Sequence, residues 1–180
     1  SPAASADWQS NTDIISKLAA NPSMAAISGI FNSIGAIILL GGMSGLKETI
    51  SNTSSHKFAS LSLIFISIGV ALNAVSQAFM LSTADAASKG DMVVAGSMLA
   101  GYLGVNPISI ITLFIGVTLI GISLYLEKSL NSLILALLVI IGIIGVVIPF
   151  WDSRSSLLFI PFIGLVILSI IIGGLTIKRK

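Results

Sequence analysis

The side chains that could do chemistry inside the apolar stretches of this chain are neutral amides and hydroxyls. A cluster of them lies in the first two stretches, at Asn32, Ser33, Asn73, Ser76 and Gln77. Asn73 and Gln77 are four residues apart and therefore share one face of a helix. Hydrocarbon leaves such groups without hydrogen-bond partners, so we expect them to point toward other helices or a wet cavity.

Two interpretations of this polar cluster stay open. As interhelical contacts, each hydrogen bond contributes roughly 0.6–2 kcal/mol in a membrane. As the lining of a site, the same side chains are suited to a neutral polar solute, a quinone head group or a lipid carbonyl.

Ionisable side chains, which usually mark proton relays and ion-coupled transport, are absent from all the long apolar stretches. The single histidine, His56, stands beside Lys57 in a polar connector and lacks the partners that a metal or haem site requires. The sequence contains no cysteine, no Gly-x-Ser-x-Gly elbow and no phosphate-binding loop. We therefore expect no catalytic residue, no metal site and no cofactor, and at most an accessory role in a membrane enzyme.

Small residues recur at spacings that let two helix backbones approach closely. The candidate association groove consists of Gly96, Ser97, Ala100, Gly101 and Gly104. Further pairs are Gly41 with Gly45, Gly116 with Gly121, and Gly142 with Gly145. Packing within the chain and docking of another chain both remain open for these grooves.

The composition determines which solvent surrounds these residues. Of the 180 residues, 55% are hydrophobic and only 9% are charged, and the mean hydropathy is +1.07. A soluble domain carries roughly 25% charged residues. This excludes a water-soluble globule and predicts the lipid bilayer as the main partner. A net charge of +2 without a basic face excludes a nucleic-acid partner.

Apolar stretches of about 20 residues predict an all-α integral membrane bundle of five transmembrane helices. The predicted crossings are residues 24–46, 58–81, 108–126, 129–150 and 157–177. Residues 47–57 and 82–91 are expected to be polar connectors. The membrane domain is then residues 24–177, between an extracytoplasmic segment at 1–23 and a basic cytoplasmic tail at 178–180.

The third apolar region, residues 92–126, is longer than one crossing needs. Asn106-Pro107 lies near its middle, and proline removes a helix hydrogen bond and disfavours helix at the residue before it. We therefore expect a break there, with residues 92–104 forming a half-helix in the interface or against the bundle. One long kinked helix is the alternative.

The N-terminal segment has an amphipathic pattern, because Ile14, Ile15 and Leu18 fall on one helical face. Two alternatives stay open for this segment: a short interfacial helix capped by Thr12 or Asn11, or a mere lead-in turn. Pro22 is expected to start the next helix. Either a leader peptide was cleaved before Ser1 or only the initiator methionine was lost.

Lysine and arginine residues set the expected orientation, because they accumulate on the cytoplasmic side of membrane proteins. With the N-terminus outside, the inner side holds Lys47, Lys57, Lys128, Lys178, Arg179 and Lys180, and the outer side holds Lys17, Lys89 and Arg154. We expect a multi-pass protein of the cell membrane with its C-terminus in the cytoplasm. Trp8, Tyr125 and Trp151 are expected at the interfaces.

The Asn21-Pro22 entry into the first crossing and the closing run from Gly173 to Lys180 resemble small polytopic prokaryotic membrane proteins of unknown function. The resemblance is one of style, without a specific motif. The cysteine-free composition, rich in isoleucine and serine, looks archaeal.

Two functional hypotheses follow from the missing charges and the small-residue grooves. The first is a non-catalytic integral membrane subunit that packs against other subunits of a membrane complex, or against copies of itself. The alternative is a small channel or facilitator for a neutral solute, lipid or quinone, lined by Asn32, Asn73, Ser76 and Gln77.

Overall fold

The computed structural model describes residues 10–128 and 130–177, and within these ranges every regular element is helical. The α-helices are α1 (Asn11–Ala20), α2 (Pro22–Glu48), α3 (Thr53–Ser88), α4 (Met92–Glu127), α5 (Ser132–Trp151) and α6 (Phe159–Ile177). A short 3₁₀ helix, Ser156–Leu158, precedes α6. The predicted all-α fold class with a short N-terminal helix is confirmed.

Five of the described helices, α2 to α6, are long and apolar enough to cross a membrane. The chain is a multi-pass membrane protein. Helices α3 and α4 each have 36 residues, which corresponds to about 54 Å at 1.5 Å per residue. Even a tilt of about 40° leaves about 41 Å along the membrane normal. Both helices therefore extend beyond a hydrocarbon layer about 30 Å thick.

Polar side chains cap the helix starts, where backbone N–H groups have no partner within the helix. The hydroxyl of Ser10 caps α1, so the prediction of Thr12 or Asn11 as the cap is wrong by one or two residues. Side-chain oxygens at Asn52 and Asp91 accept from N–H groups in the first turns of α3 and α4. Pro22 is the first residue of α2, as predicted.

The two polar connectors are shorter than predicted. Helix α3 begins at Thr53 and continues to Ser88, and Gly90 turns the chain into α4 with a positive φ of 82°. Ala86 and Ala87 are buried near the end of α3 and form a small core with Ala95. Because these alanines pack against neighbouring helices, the last turns of α3 stay helical.

Helix α4 runs without interruption from Met92 to Glu127 and contains Pro107. The expected break and separate half-helix are wrong, and the alternative of one long helix is the observed one. In water an interior proline costs about 3 kcal/mol or more. In lipid a break would expose several backbone polar groups, each of which costs several kcal/mol when unpaired. The single bond lost at Pro107 is the smaller cost.

The chain divides into two compact units. The first combines residues 10–37 with Val70–Ser109, and its core contains Ile14, Leu18, Met80, Leu99 and Tyr102. The second combines Ile38–Gly69 with residues 110–177, and its fully buried side chains include Phe114, Ile120, Leu124, Leu135 and Leu138. Helix α4 is the most buried of the five spans, whereas α2 is the least buried.

Helix α1 buries its apolar face against protein. Ile14 and Leu18 are 0% and 1% exposed and belong to the core of the first unit. The helical alternative for this segment is therefore the observed one, and α3 and α4 cover its apolar side. Of the predicted interface aromatics, Tyr125 and Trp151 are exposed. Trp8, most of the segment before α1, and the basic tail at 178–180 lie outside the described residues.

Candidate functional site: a polar layer and an open small-residue face

Side-chain hydrogen bonds join α2, α3 and α4 within the first unit. The amide of Asn73 on α3 donates from Nδ2 to Oδ1 of Asn32 on α2 over 2.7 Å. Three residues later on α3, Ser76 Oγ donates to Oδ1 of Asn106 on α4 over 3.3 Å. We call Asn32, Asn73, Ser76 and Asn106 the polar layer. These contacts match the interhelical interpretation of the predicted polar cluster.

The remaining two residues of the predicted cluster have different surroundings. Gln77 lies beside α2, since a Cβ added at Gly29 would be 3.5 Å from its Oε1. Ser33 Oγ donates to the carbonyl of Gly29 one turn back in its own helix. Ser33 therefore satisfies its hydroxyl locally and does not join α2 to another helix.

Asn106 is the member of the polar layer that sequence reasoning missed. Its place before Pro107 predicts only a helix break. The available signal was the amide itself, because an asparagine inside an apolar span needs a partner in the bundle. Once α4 is continuous, Asn106 lies in the interior of a crossing helix and Ser76 can reach it.

The Asn32–Asn73 pair is deep within its helices. Along α3, Lys57 and Asp85 are the nearest ionisable residues, and at 1.5 Å per residue they are about 24 and about 18 Å from Asn73. Asn32 is about 15 Å from the first residue of α2 on the same measure. Asn32 is nevertheless exposed on the surface of the chain, whereas Ser76 is fully buried.

The candidate association groove has one packed side and one open side. A Cβ added at Gly101 would be 2.8 Å from a ring carbon of Phe79, so this glycine lets α3 approach α4. By contrast, Ser97, Ala100 and Gly104 are exposed. A Cβ added at Gly96 or at Gly104 meets nothing within 4 Å. We call Gly96, Ser97, Ala100 and Gly104 the open face of α4.

The other small-residue pairs also differ in what surrounds them. Gly116 and Gly142 lie at close backbone contacts, where an added Cβ would be 2.9 Å from Ser62 O and from Thr118 N, respectively. Gly41 and Gly45 have nothing within 4 Å of an added Cβ. The same small-residue spacing therefore occurs at two kinds of position: glycines at close helix contacts within the chain, and glycines with no neighbouring atoms.

Two buried hydroxyls join α3 and α4 in the second unit. Ser62 Oγ donates to the carbonyl of Gly116 over 2.7 Å, and Ser123 Oγ donates to the carbonyl of Ser55 over 2.6 Å. Sequence reasoning did not single out these serines. Serine is frequent in this chain, and its type alone does not show which hydroxyl reaches a neighbouring helix.

The charged side chains are arranged at helix ends. Glu127 accepts hydrogen bonds from the backbone N–H of Ser51 and of Asn52 and from the Ser51 hydroxyl, so the end of α4 is joined to the start of α3. Lys89 forms an exposed ion pair of 2.7 Å with Asp85. His56 is exposed in the first turn of α3 and is not in a connector as predicted.

A groove of about 240 Å³ opens between α4 and α5 in the second unit. It is lined by Ile115, Thr118, Leu119, Ile143, Val146 and Val147. The hydroxyl of Thr118, the polar side chain of the lining, donates to the carbonyl of Phe114 in its own helix. The groove therefore offers an apolar surface suited to an acyl chain or an aliphatic side chain.

Comparison with known proteins finds no matching family model, no similar curated protein and no similar solved structure.

Proposed function

We propose that this chain is a non-catalytic integral membrane subunit that packs within a larger membrane protein assembly. The open face of α4 carries this proposal. In lipid, helices associate through van der Waals contact and hydrogen bonds, and small residues allow the closest approach. Gly101 illustrates the use of such a residue inside the chain, where the Phe79 ring fills the space above it. Gly96 and Gly104 offer equivalent space to a side chain from another protein.

The bonding of the polar layer supports the same proposal. Asn32, Asn73 and Ser76 each have a partner on a neighbouring helix. Such pairs stabilise helix contacts, because the alternative in hydrocarbon is an unsatisfied amide or hydroxyl. They serve a scaffold whose helices hold fixed positions for a partner.

We further propose that the N-terminus is outside the cell membrane and the C-terminus is in the cytoplasm. Six of the nine Lys and Arg residues then lie on the inner side. The bonds from Ser51 and Asn52 to Glu127 bring the α2–α3 and α4–α5 connectors to the same side, as five successive crossings require, and the excess of Lys and Arg then assigns that side to the cytoplasm.

The experiment is purification of the tagged chain from its native membrane in mild detergent, followed by identification of the proteins bound to it. We expect other membrane proteins in the wild-type sample and their loss with Gly104→Leu, which fills the open face. Gly174→Leu on α6 is the matched control, since Gly174 is also exposed and has no atoms within 4 Å of an added Cβ.

Three outcomes would contradict the proposal. The first is a wild-type chain that purifies alone as a monomer. The second is equal retention of the bound proteins by Gly104→Leu and by wild type. The third is flux of a neutral solute into liposomes that carry this chain alone, which would favour a facilitator.

A further inference from the structure

The amide pair of Asn32, which is exposed, and Asn73, which is half-buried, has unused hydrogen-bonding groups. An asparagine side chain offers two N–H donors and a carbonyl oxygen with two lone pairs. The bond from Asn73 Nδ2 to Asn32 Oδ1 uses one donor and one acceptor. The Asn32 amino group and the Asn73 carbonyl oxygen have no partner in residues 10–128 and 130–177. The pair thus keeps a free donor on Asn32 and a free acceptor on Asn73.

The depth of the pair restricts what can satisfy these groups. Lipid carbonyls and head groups lie at the edges of a hydrocarbon layer about 30 Å thick. The pair is about 15 Å or more from the nearest ends of α2 and α3 along the helix axes. In an assembly subunit, a polar group of another protein at the same depth satisfies the free donor and acceptor.

A second copy of this chain supplies such a group by symmetry. In a dimer with its twofold axis along the membrane normal, each residue has the same depth in both copies. Such an interface brings the same patch of both copies together, so a patch with one donor and one acceptor is complementary to itself. The Asn32 amino group of each copy can then donate to the Asn73 carbonyl of the other.

The surface next to Asn32 allows a second helix to come close. Gly35 is three residues after Asn32, is exposed, and has nothing within 4 Å of an added Cβ. The neighbouring Phe31 is 69% exposed. Helix α2 as a whole is the least buried of the five spans, with 11% of its most apolar window buried. This side of α2 therefore has room for a closely packed partner helix.

We propose that α2 packs against a second copy of this chain in a parallel twofold dimer, joined by reciprocal Asn32–Asn73 amide hydrogen bonds. The inference rests on the proposed function as an assembly subunit and names one partner in that assembly. It uses α2 and the Asn32–Asn73 pair, whereas the proposed function depends on the open face of α4.

The absence of cysteine in the chain makes disulfide cross-linking in native membranes a clean test. Gly35→Cys places a thiol on the proposed interface. Ile37→Cys is the matched control, because Ile37 is 61% exposed and lies about 3 Å further along α2 and about 200° around it. With two differently tagged copies, we expect Gly35→Cys to yield a disulfide-linked product that contains both tags, several-fold above Ile37→Cys.

A second variant tests the amide pair itself. In the Gly35→Cys background, Asn32→Leu removes two reciprocal bonds, and we expect the cross-linked fraction to correspond to roughly tenfold weaker association. Ser76→Ala is the control, since it removes the bond from α3 to α4 and leaves the amide pair unchanged. We expect the cross-linked fraction of Ser76→Ala to equal that of the Gly35→Cys parent.

The results separate this inference from the proposed function. Equal cross-linking at positions 35 and 37, a product with a chain of different mass, or no response to Asn32→Leu would overturn the dimer. If Gly104→Leu still releases bound proteins in that case, the assembly role remains supported. A dimer without any other bound protein would confirm the inference and restrict the assembly to copies of this chain.

Discussion

Several neutral polar side chains inside the spans bond to neighbouring helices or to their own backbone. Asn73 and Ser76 reach across to α2 and α4, whereas Ser33 bonds one turn back. The need for a partner was predictable from residue type, because hydrocarbon offers none. The identity of each partner was not, because it depends on which helices are neighbours and how each is rotated.

For small residues, too, the sequence does not show which neighbour each residue contacts. Gly101 and Gly104 belong to one predicted groove, yet Phe79 packs on the first and nothing covers the second. Their spacing identifies a helix surface on which backbones can approach. Whether this surface meets another part of the chain depends on tertiary packing that the spacing does not encode.

Gly142 tests the importance of close backbone contact between α4 and α5. In Gly142→Ala the new Cβ would be 2.9 Å from Thr118 N and 3.0 Å from Thr118 Cα, so one helix has to shift. We expect a loss of roughly 1–3 kcal/mol in the free energy of unfolding, as for other overpacked interiors. Denaturant unfolding in detergent micelles measures it.

The control for this substitution is Gly173→Ala on α6, where an added Cβ meets nothing within 4 Å. Alanine is a better helix former than glycine by about 1 kcal/mol. We therefore expect unchanged or slightly higher stability for this variant. Equal destabilisation by both substitutions would show that close contact with Thr118 is not the cause.

Helices α3 and α4 show that signals which end helices in soluble proteins have a different effect in a membrane protein. The five crossings were predictable from length and hydropathy. The predicted break at Pro107 was wrong because the penalty for exposing unpaired backbone to hydrocarbon exceeds that of one missing hydrogen bond. The end of α3 was missed because buried alanines, whose role is visible only with α1 and α4 in place, extend it to Ser88.

Helix α1 depends on tertiary packing for its structure. At 10 residues it is too short to be stable alone in water. Replacing Ile14 and Leu18, which are 0% and 1% exposed, by alanine removes its contacts with the first core. Each truncation costs about 2–5 kcal/mol, and we expect α1 to detach while the crossing helices stay folded.

Amide hydrogen exchange measures this detachment directly. We expect protection to be lost in residues 11–20 and retained in α3 and α4. The control is Ser16→Ala, since the Ser16 hydroxyl donates to the carbonyl of Asp13 within α1 itself. Retained protection of α1 in the double variant would show that contacts other than those of Ile14 and Leu18 hold this helix.

The distribution of polarity along the whole chain explains both its class and its proposed role. The charged side chains discussed above lie at helix ends, where Glu127 and Lys89 bond to neighbouring groups. The polar groups in the spans between them are neutral, and several of them join neighbouring helices. A chain built in this way is suited to hold fixed positions in a membrane and to present surfaces to partners.

The proposed orientation predicts which connectors face the cytoplasm. In the cysteine-free chain, Thr49→Cys lies between α2 and α3, and Ser88→Cys lies at the end of α3. Both residues are exposed. With the N-terminus outside, a membrane-impermeant maleimide should label Ser88→Cys in intact cells and Thr49→Cys only after permeabilisation, because α3 carries the chain across the bilayer between them.

Ile170→Cys, 70% exposed on an apolar span, should resist labelling in both conditions, because hydrocarbon excludes the polar reagent. The reverse pattern at positions 49 and 88 would place the N-terminus in the cytoplasm and show that the excess of lysine and arginine does not set the orientation of this chain.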